Sequence, residues 1–421
     1  MPAYAIGAVQ KLENLNGREY MYTPKDWYAC KTHKGGTKMV KKNKKKTNNA
    51  SQIIMLLLFM FIGALCGILM VRYSFSSMKE DFSGMELLYL YIQLIIYMYL
   101  AICLQIVMHE FGHFVFGLLT GYRFTSFRIG SFMWMKQDGK IHFFIMSVAG
   151  TGGQCLMAPP DMVNRKMPYA LYNLGGSIMN MLTALLFTAF YFLCREIPYI
   201  SIFFLIISII GVTFALINGI PMQMGVVNND GYNAMSLGKS MAAIHSFWVQ
   251  MKTNEMLAKG VRVKDMPEEW FSMPEDTDLM NGITATMAVF YANRLMDSHC
   301  FAEVSALIDT LISKETAIVG FYKEMLVCDR IYCALISGSD TEIAEIIEKL
   351  YTKAHKQFIK QMHNNLSVIR TKYALALLYE KDRHKAELMQ KQFEKYAKKY
   401  PYVCDIESER ELMEIARGLD L

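Results

Sequence analysis

The chain has 421 residues, 53% of them hydrophobic and only 19% charged, where an ordinary soluble domain carries about a quarter charged. The deficit is local: residues 53–71, 167–193 and 197–229 contain no Asp, Glu, Lys or Arg. Such runs exclude a simple soluble enzyme, a disulfide scaffold and a disordered regulator, and they predict a membrane domain joined to a soluble one.

In chain order, the first element is a basic N-terminal tail, 1–50, with eight lysines and no acids between Lys31 and Lys46. Because these lysines precede an apolar run, they read as a cytoplasmic topology marker, and no nucleic-acid partner is expected. A transmembrane domain over 51–235 follows, with spans about 53–71, 92–119, 169–193 and 199–221. The second lies within Leu87–Leu119, too long to cross upright at about 1.5 Å per residue, so it tilts or projects from the bilayer. Positive-inside counting puts the connection 120–168, with Arg123, Arg128, Lys136, Lys140, Arg165 and Lys166, on the side of the tail. Loops 72–84 and 194–198 then fall outside and both termini are cytoplasmic, in a membrane expected to be a bacterial plasma membrane. Nine scattered cysteines without a C-x-x-C pair fit a reducing compartment and no structural zinc knuckle.

The connection 120–168 is not helical in pattern. Arg123–Ile145 is rich in Phe, Ile, Thr, Trp and Met, and Asp138-Gly139 between two such runs signals a hairpin turn. An exposed edge is expected around Ser126–Met135, followed by a flexible Gly-rich loop, Gly150-Thr-Gly-Gly153. Cys155 behind that loop reads as a packing residue or, in a sharper reading, as a thiol plug for a metal. Beyond residue 235 no further span occurs, and 236–421 reads as a cytoplasmic domain of amphipathic helices. Breaks at Asp297-Ser-His-Cys-Phe, Ser337-Gly-Ser-Asp-Thr and Glu380-Lys-Asp-Arg-His, about forty residues apart, suggest helical hairpins similar to tetratricopeptide arrays, a surface for a protein partner. The expected fold is therefore a mainly α membrane protein: about four transmembrane helices, a small membrane-associated β-hairpin and a C-terminal helical-repeat domain.

The chemistry lies in the second span, Met108-His109-Glu110-Phe111-Gly112-His113. Residues i and i+4 share a helix face, so His109 and His113 can grip one zinc ion together, and Glu110 is placed to take a proton from its bound water. Two imidazoles and a carboxylate inside an apolar span are costly unless they serve a function. A catalytic zinc takes a third protein ligand. Asp230, the only carboxylate between Glu196 and Glu255, is one candidate, and Asp161 after Pro159-Pro160 competes with it. His142 and His245 are weaker candidates.

Taken together these motifs resemble the site-2 protease family of zinc-dependent intramembrane metalloproteases. His109-Glu110-Phe111-Gly112-His113 is similar to its H-E-x-x-H, and Asn218-Gly-Ile-Pro221 leading to Asp230-Gly231 to its N-x-x-P…D-G. Gly175-Gly176-Ser-Ile-Met-Asn180 is similar to its G-P-x-x-N segment, and the order of parts agrees. The resemblance covers about residues 85–235 and leaves the tail and the helical repeats outside. It implies one Zn2+ held by His109, His113 and Asp230, with Glu110 as general base and Asn180 and Asn218 near substrate or oxyanion. The implied partner is a membrane-spanning or membrane-associated protein or peptide precursor within the lipid bilayer. Three departures stand out: Asn229 where the family commonly has an aliphatic residue, a longer interval from Asn218 to Asp230, and Gly176-Ser177 in place of the usual Gly-Pro. The rival reading is a catalytically weak or inactive scaffold that presents partners through its C-terminal helices.

Overall fold

The structure, a computed structural model, describes residues 84–420 except 147–150 and 225–226, together with six helical residues between Leu57 and Ile68. The basic tail, most of the first expected span and nearly all of loop 72–84 lie outside the described residues.

Three long apolar helices are present: α1 (Gly84–Leu119), α2 (Ala170–Leu193) and α3 (Pro198–Gly219). Each has a segment long and apolar enough to cross a membrane, Leu88–Leu119, Ala170–Leu193 and Tyr199–Gly219. At about 1.5 Å per residue the 36 residues of α1 reach about 54 Å, well beyond a hydrocarbon core of about 30 Å. Apolar side chains such as Ile95, Tyr99, Leu185 and Phe192 are exposed on these helices, as lipid-facing surfaces require. Small residues bring the backbones together: a Cβ on Gly112 would lie 2.2 Å from the Gly175 carbonyl oxygen, and one on Gly175 2.7 Å from that of Gly112. α1 and α2 therefore meet at the level of the His109–His113 turn.

Between α1 and α2 lies a four-stranded antiparallel sheet of β1 (Arg123–Ile129), β2 (Phe132–Gln137), β3 (Lys140–Ile145) and β4 (Gly153–Ala158), in the order β3-β2-β1-β4. The expected turn is there, with Asp138 (φ 49°) and Gly139 (φ 78°) both left-handed as a tight two-residue hairpin demands. The hairpin is only half of the sheet, however. Ser126 pairs with Met135, and β1 is enclosed between β2 and β4, so the segment Ser126–Met135 is not an edge; β3 and β4 are the edges. The Gly-rich stretch also does not stay a loop. Its last glycine, Gly153, opens β4, which pairs along β1 from Gly153↔Ile129 to Arg123↔Ala158.

Helices fill the rest: α4 (Asp230–Leu237), α5 (Met241–Ala258), α6 (Gly282–Asp297), α7 (Phe301–Ser313), α8 (Gly320–Ser337), α9 (Asp340–Leu350), α10 (Lys353–Gln361), α11 (Leu366–Ala374), α12 (Arg383–Ala397) and α13 (Val403–Gly418). The three sequence breaks separate α6 from α7, α8 from α9, and the π-turn Leu375–Tyr379 from α12. The paired helices differ in length, 18 residues in α8 against 11 in α9, and tetratricopeptide-like repetition is not evident among the described residues. Their core also takes in Met133 and Met135 of β2 and Met167 ahead of α2. One face of the sheet is thus buried by the C-terminal helices, while Phe132, Trp134 and Phe143 on its other face are exposed.

Candidate metal centre

Four residues apart on α1, His109 and His113 bring their Nε2 atoms to 3.2 Å. Asp230, at the first turn of α4, places Oδ2 3.0 Å from His109 Nε2 and 3.4 Å from His113 Nε2. This is the one group of three His, Cys, Asp or Glu residues with metal-ligand spacing among the described residues. Asn229 sets the position of Asp230. Its Oδ1 accepts from Tyr232 N (2.9 Å) as the N-cap of α4 and from Met222 N (3.0 Å), while its Nδ2 donates to Ile217 O (2.6 Å) and Ile220 O (2.5 Å). An aliphatic residue there would leave these backbone groups unmet. The longer interval before it is taken up by a two-stranded turn, β5 (Gln223–Met224) with β6 (Val227–Asn228). Gly231 follows because a Cβ there would sit 2.2 Å from the Gly219 carbonyl oxygen.

The outer ring nitrogens are committed. His109 Nδ1 lies 2.7 Å from Asn180 Oδ1, and His113 Nδ1 2.7 Å from the Tyr172 carbonyl oxygen. A carbonyl only accepts, so each Nδ1 carries a proton, and in the neutral ring each Nε2 presents a lone pair. Two such lone pairs and a carboxylate oxygen then converge, and Asp230 Oδ2 is buried without a hydrogen bond in the protein. Three electron-rich atoms at this spacing repel unless a proton or a metal cation lies among them. A tetrahedral ion with bonds of about 2.0–2.1 Å sets its ligands about 3.3–3.4 Å apart, close to the observed triangle, so the donor set fits zinc.

Glu110 points from the next position of the helix toward β4. A Cβ on Gly153 would lie 2.5 Å from Glu110 Cγ and 2.8 Å from Oε1, so only glycine leaves room for the carboxylate. Arg128 of β1, 1% exposed, secures this corner by donating to Gly130 O (2.5 Å), to Thr151 Oγ1 and to Gly153 O (3.4 Å).

The other expected residues lie as follows. Asn180 is fully buried between His109 and Gln105; its Nδ2 donates to Gln105 O (2.8 Å) and Oε1 (2.7 Å). Asn218 donates to Phe214 O (3.1 Å) on its own helix, α3. Asp161 is not brought to the cluster: its side chain is 88% exposed and pairs with Lys252 at 3.2 Å. His142 is exposed on β3, and His245 lies against the Trp248 ring. Cys155 is buried on β4 with Tyr122, Met157 and Tyr172, and burial, reinforced by Glu110, pushes its thiol well above its ordinary range. That favours packing over a thiolate plug. The sequence pattern assigns Gln105 no role, and it assigns Arg128, Gly153 and Gly176 none at this site beyond topology, loop and motif resemblance. A Cβ on Gly176 would lie 2.4 Å from His109 Cε1. Gln105 had a sequence signal, one helical turn before His109 on the same face.

Three membrane-length helices with a His–His–Asp group at their junction define a membrane protein with a metal-capable centre. The chain belongs to Peptidase family M50, the site-2 protease family, whose sequence model matches residues 97–373, more than half of it. This membership implies a metalloprotease of the intramembrane type. The match runs well past residue 235, so the C-terminal helices into α11 lie within the family resemblance and not outside it. No curated protein and no solved structure matches the chain.

Proposed function

We propose that the chain is a zinc-dependent intramembrane endopeptidase that hydrolyses a peptide bond in or near the membrane segment of a protein or peptide precursor. One observation carries this reading: two imidazole Nε2 atoms and a carboxylate oxygen, 3.0–3.4 Å from one another, form a metal-sized triangle beside a confined glutamate. Zinc bound there supplies a Lewis acid and a water acidic enough to be deprotonated near neutral pH. Glu110 accepts the proton of the attacking water and returns it to the amine of the departing peptide. Gly153 and Arg128 keep the Glu110 carboxylate in place. Asn180 serves the ligand His109, and Asn218, near the end of α3, remains the polar group for the substrate. The free edge of β4, which starts at Gly153 beside Glu110, offers backbone groups to an unwound substrate strand. Both termini are assigned to the cytoplasm, with 236–421 as a helical domain there that can take a protein partner.

The test uses the full chain purified in detergent, with single-span peptides carrying helix-breaking residues as substrates. Wild type should bind one zinc per chain and cleave. Glu110→Gln should keep the zinc and lose activity by about 10²–10⁴-fold. Cleavage undiminished in Glu110→Gln would remove Glu110 as the base, and a wild-type chain that takes up zinc yet cleaves none of the panel would favour the scaffold reading.

A further inference from the structure

His109 is held by a side chain, Asn180, whose amide could present either its oxygen or its nitrogen. The bonds behind Asn180 decide which. Gln105 is fully buried one turn before His109 on α1, and its Nε2 donates to the Ile207 carbonyl oxygen of α3 at 3.1 Å. A carbonyl cannot donate, so the Gln105 amide is oriented with Nε2 toward α3 and Oε1 toward α2. Asn180 Nδ2 then gives one hydrogen to Gln105 Oε1 (2.7 Å) and the other to the Gln105 backbone oxygen (2.8 Å). This turns Asn180 Oδ1 to His109 Nδ1 and fixes the tautomer that leaves Nε2 bare.

The three helices are shaped for this chain of bonds. A Cβ on Gly211 of α3 would lie 2.6 Å from Gln105 Nε2, and one on Gly176 of α2 would enter the His109 ring. A glutamine buried between three apolar helices is costly unless both ends of its amide are satisfied, and both are.

We propose that Gln105 is a positioning residue for the metal ligand: acting through Asn180, it selects the His109 nitrogen that faces the ion. The backbone of α3, which touches none of the three ligands through this route, thereby orients one of them across two side chains. This inference rests on the metalloprotease reading, and its test keeps the two separable.

Full-length protein in detergent is titrated with zinc against a chelator, and the cobalt(II)-substituted form is examined by its ligand-field absorption. Gln105→Leu keeps the volume and removes the amide; it should weaken zinc binding about tenfold and alter the cobalt spectrum. Gln105→Glu should stay near wild type, since a carboxyl kept neutral in this apolar site donates to Ile207 O and accepts from Asn180 as the amide does. A packing role alone predicts the reverse order, with the apolar leucine the milder change. Gln105→Leu with wild-type zinc affinity and an unchanged cobalt spectrum would overturn the proposal. If Gln105→Leu does not fold, Gln105→Met, unbranched and of similar length, takes its place with the same expected result. A wild-type chain that binds no zinc would instead refute the metalloprotease reading itself.

Discussion

Two regions of this molecule bury ionisable groups, and they do so differently. Among the C-terminal helices, Arg370, 1% exposed, donates to Asp329 (2.6 Å) and Glu409 (2.9 Å) and lies over the Tyr332 ring. Beside it Arg262 meets Asp297 (2.6 Å) and Glu411 (2.5 Å). Every charge there faces an opposite one. At the junction of α1, α2 and α4, two imidazoles and a carboxylate face one another with no Lys or Arg between them among the described residues. The closed cluster satisfies its own charges, whereas the open one has the spacing to take a metal ion from outside. Burial and ionisable residues are common to both, so the arrangement of the partners separates structure from function.

The sharpest break of this comparison removes a ligand. His109→Ala or His113→Ala should abolish zinc binding, measured as metal per purified chain, and cleavage with it, because two remaining ligands hold zinc far more weakly. Folding should survive, since the site adds an ion and not a core. Loss of the helical fold in either variant would mean that the cluster is structural after all.

Opening the closed cluster should do the opposite. Arg370→Met leaves Asp329 and Glu409 buried without their partner, at a cost of about 3–5 kcal/mol, read as a lowered thermal midpoint. Zinc per folded chain should not change. A variant as stable as wild type would show that the network contributes little.

A smaller effect is expected from crowding a ligand without removing it. In Gly176→Ala the new methyl lies where the His109 ring stands, so the imidazole must shift. Zinc affinity should fall by about 10–100-fold, the range seen when a ligand's support is disturbed. An unchanged affinity would show that α2 can retreat from α1 at no cost.

That last residue shows where sequence reading stops. The helical period carries His109 and His113 to one face, so this part of the candidate site is legible from spacing alone. Asp230 and Asn180 were legible as residues, through motif resemblance, but the role of Asn180 was not, because its partner His109 is 71 positions away. Gly153 and Gly176 matter for the space above their Cα atoms, which no local pattern encodes. Strand β4 was missed for a related reason: Gly153-Gln-Cys-Leu-Met-Ala158 has little β-propensity of its own and becomes a strand by pairing with β1. Asp138-Gly139, by contrast, specifies its turn within two residues and was readable.

The smallest expected effect separates the two carboxylates that competed for the third ligand. Asp161 sits at the surface, and its ion pair with Lys252 is exposed on the acid's side. Lys252 keeps a second partner, Glu255 at 3.3 Å, so removing Asp161 strands no charge. Asp161→Ala should therefore change stability by less than about 1 kcal/mol and leave zinc content as it is. Asp230→Ala in the same assay should lower zinc affinity to a degree similar to the histidine variants. The pair of measurements tests the geometry directly: zinc lost in Asp161→Ala and kept in Asp230→Ala would mean that a different carboxylate closes the site, and the open cluster at the α1–α2–α4 junction would have to be redrawn.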